Sequence, residues 1–302
     1  MKLQRLLVVI DTEHAEQPAL LRAAELARQT GAELHLLQVD YHPKLDGGLL
    51  DGHLFQRIRD TLVQQRHADL LASVAHLSQE GLKIEVDVRW SKHRHEEILA
   101  RVAVLQPDIL FTSAHPGNAL RRLLFGDASW QLIRRCPVPL WLVHDAAPRG
   151  SNLCVALDPL HSADKPAALD QQLIATSQAL QARLGLDAHY LHAQAPLPRS
   201  LMFDAEVAQE YEDYVTQCHH EHRQAFDALI ARHAIDPGHA HLLDGFAEEV
   251  IPQFVREHNI GLLLMGAIAR GHLDSLLIGH TAERVLERVE CDLLVIKPAG
   301  KG

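Results

Sequence analysis

Two stretches of this chain, roughly 150 residues apart, carry the same signals in the same order, and that repetition narrows the possible folds sharply. In the first half a continuous apolar strand over 5–10 ends at Asp11, apolar residues at helical spacing follow over 18–29 (Leu20, Ala23, Ala24, Ala27), and Gly31 closes the helix. In the second half a strand over 152–157 ends at Asp158. There ARLGLDAHYLHA aligns with ARQTGAELHLLQV, placing Gly185 on Gly31 and His189 on His35. Gly279 falls on Gly126 and Cys291 on Cys136. Further strands read over 32–39, 83–90, 108–113 and 138–143. Strands alternating with helices predict parallel sheets with right-handed crossovers. The expected fold class is therefore α/β, with two tandem doubly wound parallel-sheet domains over 1–147 and 151–300, joined at Ala-Ala-Pro-Arg-Gly-Ser. Such a duplication is a covalent pseudo-dimer, and a further homodimer would need another exposed surface.

Each half inserts one long helix between its second and third strands. The first, over 53–79, repeats Phe55, Ile58, Leu62, Leu70, Val74 and Leu77. The second, over 204–234, carries Val207, Tyr211, Tyr214, Cys218, His222, Phe226 and Leu229 on one stripe. Both are expected to cover the sheet or the groove between domains.

The totals exclude several classes. At 302 residues each half can bury its own core. A net charge of −10 argues against a nucleic-acid or anionic-membrane partner, which needs a basic face. The N-terminus has only five consecutive apolar residues, Leu6 to Ile10, too few for a signal peptide core or a membrane span. Cys136, Cys154, Cys218 and Cys291 are far apart with no CxxC pair, which fits a reducing compartment, and the protein is placed in the cytoplasm. The 22 histidines include a run at His219, His220 and His222. Because Cys218 and His222 lie on the apolar stripe, packing is favoured there over zinc, and no metal site is assigned.

The chemistry-bearing stretch is GLLLMGAIARGHLDSLLIGHTAE, residues 261–283. An apolar strand ends at Gly266, a loop holds Arg270, and after Gly279 a helical pattern opens with His280 and Thr281. The first amides of a helix lack internal partners and sit at the positive end of its dipole, so this is an anion site in outline. The spacing is neither GxxxxGK[ST] nor GxGxxG. Ordinary helix-start chemistry, with Glu283 three residues after His280, is the competing reading. Asp158 ends its strand at the carboxyl edge, where open parallel sheets bind ligands, and a turn cap is the alternative there. No GxSxG, kinase, P-loop, SGGxDS or HIGH/KMSKS signature is present, so the chain reads as a binder with at most weak ATP hydrolysis.

The spacing from Gly266 through Gly279, the helix Ala282-Glu283-Arg284-Val285-Leu286 and the following Cys291-Asp292-Leu293-Leu294-Val295-Ile296 resemble the universal stress protein family, whose members carry GxxG, nine residues and G[ST] before such a helix. With the tandem layout, the resemblance covers essentially the whole chain and points to the two-domain, E-type branch. It implies an adenine nucleotide alpha hydrolase-like fold and a bacterial stress-response protein that binds ATP or ADP, with Mg²⁺ able to accompany it. It places Asp158 at the base or ribose and Gly266, Arg270, Gly279, His280 and Thr281 around the phosphates. Ala269 stands where the second glycine belongs and His280 where the hydroxyl residue belongs. These departures favour the alternative: a nucleotide-free protein holding an apolar or acyl ligand, or a protein partner, in the interdomain or helix-covered groove. In the first half Ala114-His115-Pro116 replaces the strand-end glycine, so that copy is expected to be degenerate.

Overall fold

The computed structural model of the chain describes residues 3–12, 16–45, 52–114, 127–145, 147, 150–160, 168–195, 205–267 and 279–298. They divide into two compact units. The first comprises Met1–Pro148 with Asp292–Val295, the second Arg149–Cys291 with Ile296–Gly302.

The first unit runs β1 (Arg5–Val9), α1 (Pro18–Thr30), β2 (Glu33–Asp40), α2 (Gly52–Ser73), α3 (Ala75–Gln79), β3 (Ile84–Trp90), α4 (Arg94–Leu105), β4 (Ile109–Ser113), α5 (Asp127–Arg135) and β5 (Leu140–Val143). Its strands lie in the order β3-β2-β1-β4-β5, all parallel, and β10 (Asp292–Ile296) runs antiparallel to β5 with Leu293 opposite Leu142. The central strands are continuous apolar runs because both of their faces are covered, as in parallel sheets generally. Proline at the first helical turn starts α1, and Gly31 ends it at φ 72°, donating its N–H to Ala27 O at 2.8 Å. One polar knot is buried in this core. The Asp292 carboxylate accepts from Arg22 Nε at 2.7 Å, Trp141 Nε1 at 3.1 Å and the His144 amide at 3.0 Å. Burial still pushes the Asp292 carboxyl upward against those three donors.

The predicted helix over 53–79 is broken at Val74. Val74 and Leu77 are both 2% exposed, and turning the chain there buries both. Upstream, only Leu70 of α2 is buried.

The second unit runs β6 (Asn152–Ala156), α6 (Ala168–Leu184), β7 (Asp187–Gln194), α7 (Ala205–Arg232), a 3-10 turn (Pro237–His239), β8 (Ala240–Asp244), α8 (Ala247–Glu257), β9 (Ile260–Gly266) and α9 (His280–Arg288). Its strands lie in the order β9-β6-β7-β8, all parallel. Gly185 ends α6 at φ 65° with its N–H on Gln181 O at 2.9 Å, the same left-handed stop that Gly31 provides. Pro252 lies inside α8 and, lacking an N–H, cannot bond to Glu248 O. Arg288 of α9 donates to that carbonyl instead, at 2.9 Å, and Arg284 reaches the Glu248 carboxylate at 3.1 Å. These contacts fasten α9 to the first turn of α8. Among the described residues of α7 the buried apolar side chains are toward its C-terminal end, at Phe226, Leu229 and Ile230, while Tyr214 is 57% exposed. No helix among the described residues is long and apolar enough to cross a membrane.

Candidate functional site

Several polar groups stand together at the carboxyl edge of the second unit's strands. β6 pairs with both β7 and β9, so Asp158, Gln194 and Gly266 stand at the ends of three neighbouring parallel strands. Asp158 is half-buried, and its amide points at the Asp170 carboxylate in the first turn of α6, with N···O 3.5 Å. Asp170 is 7% exposed. Two carboxylates at one strand end repel phosphate and suit hydrogen-bond donors or a cation. Gly266 has a packing cause. A Cβ there would lie 2.6 Å from Leu169 Cδ2.

Beside Asp158 a pair of imidazoles links the sheet to α7. His192, 2% exposed, donates from Nδ1 to Leu157 O at 3.0 Å, and its Nε2 meets His222 Nδ1 at 2.8 Å, with the rings stacked at 18°. The bond to the carbonyl requires the proton on His192 Nδ1, so Nε2 accepts and His222 Nδ1 donates. Gln194 is 5% exposed and its Oε1 has no hydrogen-bond partner, an acceptor that a bound N–H or O–H would satisfy. Among the described residues no three His, Cys, Asp or Glu side chains converge on a metal position.

α9 begins at His280, directly after Gly279, which lies at φ −63°, ψ 140° and supplies no capping side chain. Glu283 N donates to Gly279 O at 3.0 Å, and the amides that precede it belong to the first turn of the helix, where no intrahelical acceptor exists. His280 and Thr281 are the first two residues of α9; their side chains, and all of Arg270 and Ala269, lie outside the described residues. Of the sequence-derived set, the structure therefore brings Asp158 and Gly266 to one edge and puts Gly279, His280 and Thr281 at a helix start. Sequence reading missed Asp170, His192 and Gln194. The period of two along β7 separates His189 from His192 on opposite faces, and that was the available signal.

At the corresponding end of β1 in the first unit, side chains bond to the main chain around Asp11. Asp11 N donates to Gln17 Oε1 at 2.9 Å, Gln17 Nε2 donates back to Asp11 O at 2.7 Å, and Arg94 donates to Ile10 O at 3.0 Å.

The chain matches the family "Universal stress protein family" twice, over residues 2–144 and 151–297. It belongs to the universal stress protein family. Within the family it is similar to universal stress protein E of Photorhabdus laumondii, 29% identical over 306 residues spanning 98% of this chain and 96% of that protein. Universal stress protein E of Escherichia coli K12 is 29% identical over 303 residues, covering 98% and 94%. Among solved structures, a functionally unknown protein of Pseudomonas aeruginosa PAO1 superposes with TM-score 0.76 at 24% identity, covering 98% of this chain and 93% of that one. A universal stress protein from Archaeoglobus fulgidus gives TM-score 0.66 at 17% identity, covering 99% and 97%. These structural likenesses carry the fold, and the two family matches give a tandem universal stress protein.

Proposed function

We propose that this tandem universal stress protein is a bacterial, cytoplasmic stress-response binder. Its second unit, residues 151–300, holds an adenine nucleotide or a similar anionic ligand, and its first, 1–147, serves as the degenerate partner. The observation that carries the reading is the start of α9. Gly279 brings no capping side chain to a nine-residue helix that Arg284 and Arg288 fasten to α8, so its leading amides can take phosphate oxygens. Gly266 releases the strand into that segment, Arg270 supplies positive charge, and His280 and Thr281 supply donors. Asp158 takes the ribose or base, and a Mg²⁺ that accompanies the phosphates would find oxygen ligands nearby. The unpaired Gln194 Oε1 supports a ligand with an N–H or O–H at the opposite end from its phosphates. Equilibrium binding of ATP to the full chain and to Gly279→Val tests it. A Cβ-branched residue at the helix start would crowd the phosphates, so the variant should lose binding at least tenfold, about 1.4 kcal/mol. Equal affinity in both would sink the assignment.

A second reading has its own observation. A cavity of about 390 Å³ lies between α7, the 3-10 turn and β8, walled by Phe226, Ile230, Ile235 and Leu242 with Arg223 and Asp227 among its lining. Its apolar wall and size suit an apolar or acyl ligand. Leu242→Trp would fill it, abolishing uptake of such a ligand while sparing a nucleotide at α9.

A further inference from the structure

At the opposite, amino-terminal edge of the second unit's strands four imidazoles gather, three of them around one phenyl ring. His189 of β7 and His241 of β8 share an N···N hydrogen bond of 3.1 Å, with ring centroids 5.3 Å apart. His239 of the 3-10 turn lies 5.2 Å from His189, and His258 at the end of α8 lies 5.8 Å from His189 and 5.6 Å from His241. Phe254 of α8 is in the middle, stacked on His258 at 3.8 Å and 4.8 Å from His241. The cluster thus joins β7, β8, the 3-10 turn and α8.

The charged groups facing it are unevenly placed. Asp187 and Asp236 both lie against His239, at 3.1 and 3.4 Å. His258 Nδ1 bonds to Phe254 O at 3.2 Å, at a helix C-terminus that favours positive charge. On the side of β6, the residue in register with His189 is Cys154, whose buried thiol is pushed upward and stays neutral. Among the described residues no carboxylate forms an ion pair or hydrogen bond with His241. The first unit differs at the equivalent position, where His35 is 3.1 Å from the Glu85 carboxylate and Glu85 also meets Arg101 at 2.9 Å. In the second unit the hydrogen-bond partner of the histidine at this place is another imidazole, His241.

We propose that this four-histidine cluster is an acid-released latch, which holds the β7–β8 edge against α8 while His189 and His241 are neutral and lets go when that pair takes up protons. The bond between them needs one lone pair, so the contacting nitrogens cannot both carry protons. A second charge also meets His239 and His258 at ring separations below 6 Å. Burial and then the neighbouring imidazoles push His241 down to about 4, and burial lowers His189 as well. The sign follows from linkage. A histidine held below its ordinary 6.5 stabilises the fold above pH 6.5, and that contribution is lost as pH falls from 6.5 toward 4. For one such group the opening equilibrium would rise at most ~20-fold between pH 7 and 5, and partial solvation reduces this to about tenfold.

The test is amide hydrogen exchange on the full chain at pH 7 and pH 5, corrected for intrinsic rates, with β1 of the first unit as internal reference. The parent should show about a tenfold rise in opening confined to β8 and the end of α8. His241→Gln keeps an acceptor for His189 but cannot titrate, and its rise should fall below about threefold. An equal rise in parent and variant, or no selective rise in the parent, overturns the latch. Should the variant fail to fold, the parent's own histidine ring resonances decide. A His241 midpoint near 4 supports the latch, and one at the ordinary 6.5 ends it.

Discussion

Substituting Gly266 by alanine should disturb the second unit through one identifiable neighbour. The new Cβ would lie 2.6 Å from Leu169 Cδ2 and 3.4 Å from its Cγ, and Leu169 is only 1% exposed, so it cannot swing into solvent. Overpacking of that kind costs about 1–3 kcal/mol. Leu169→Ala alone opens a hole and costs about 2–5 kcal/mol. In the double variant the alanine at 266 fills part of that hole, so the two losses should fall short of their sum by at least about 1 kcal/mol. Urea unfolding of parent, both single variants and the double variant measures this coupling directly. Additivity within about 0.5 kcal/mol would refute the argument that Leu169 packing is what excludes a side chain at this position. Leu169 also precedes Asp170, so the single Gly266→Ala variant should weaken ligand binding at Asp158, though less than Gly279→Val.

Three further outcomes follow from particular contacts. Asp158→Asn removes the charge at the end of β6 and should weaken nucleotide binding about tenfold without changing the urea midpoint beyond error, as read by calorimetric titration. Arg288→Leu strips Glu248 O of its donor and should cost about 1 kcal/mol of stability, a loss that disappears in a Pro252→Ala background where residue 252 donates its own N–H. Tyr190→Phe deletes the 3.0 Å hydroxyl contact with buried Ser177 and should cost about 1 kcal/mol in the same unfolding assay.

Much of the architecture is written in short-range patterns. Runs such as Leu6–Ile10 and Leu262–Met265 read as doubly covered strands because both faces of a parallel sheet are dry. Gly31 and Gly185 marked helix ends because only glycine adopts their left-handed backbone cheaply. Other features have no local signature. The break at Val74 comes from burying Val74 and Leu77 together, and the exposure of Tyr214 reflects what its helix packs on, although both sit in unbroken helical patterns. At the candidate site, the position of Asp158 at a strand end was legible because the apolar run stops there. Asp170, His192 and Gln194 were not, since each gains its place from a neighbouring strand or helix. Gly266 was legible as a special position, but the neighbour that demands it, Leu169, is 97 residues away in sequence, and only packing brings the two together.

The most direct measurement is to denature the protein as purified from cells and identify the released small molecule by mass spectrometry. A second unit built to hold an anion at α9 predicts about one adenine nucleotide per chain, lost in Gly279→Val. Release of an apolar compound alone, or of nothing from a chain that also fails to take up added ATP, would contradict it.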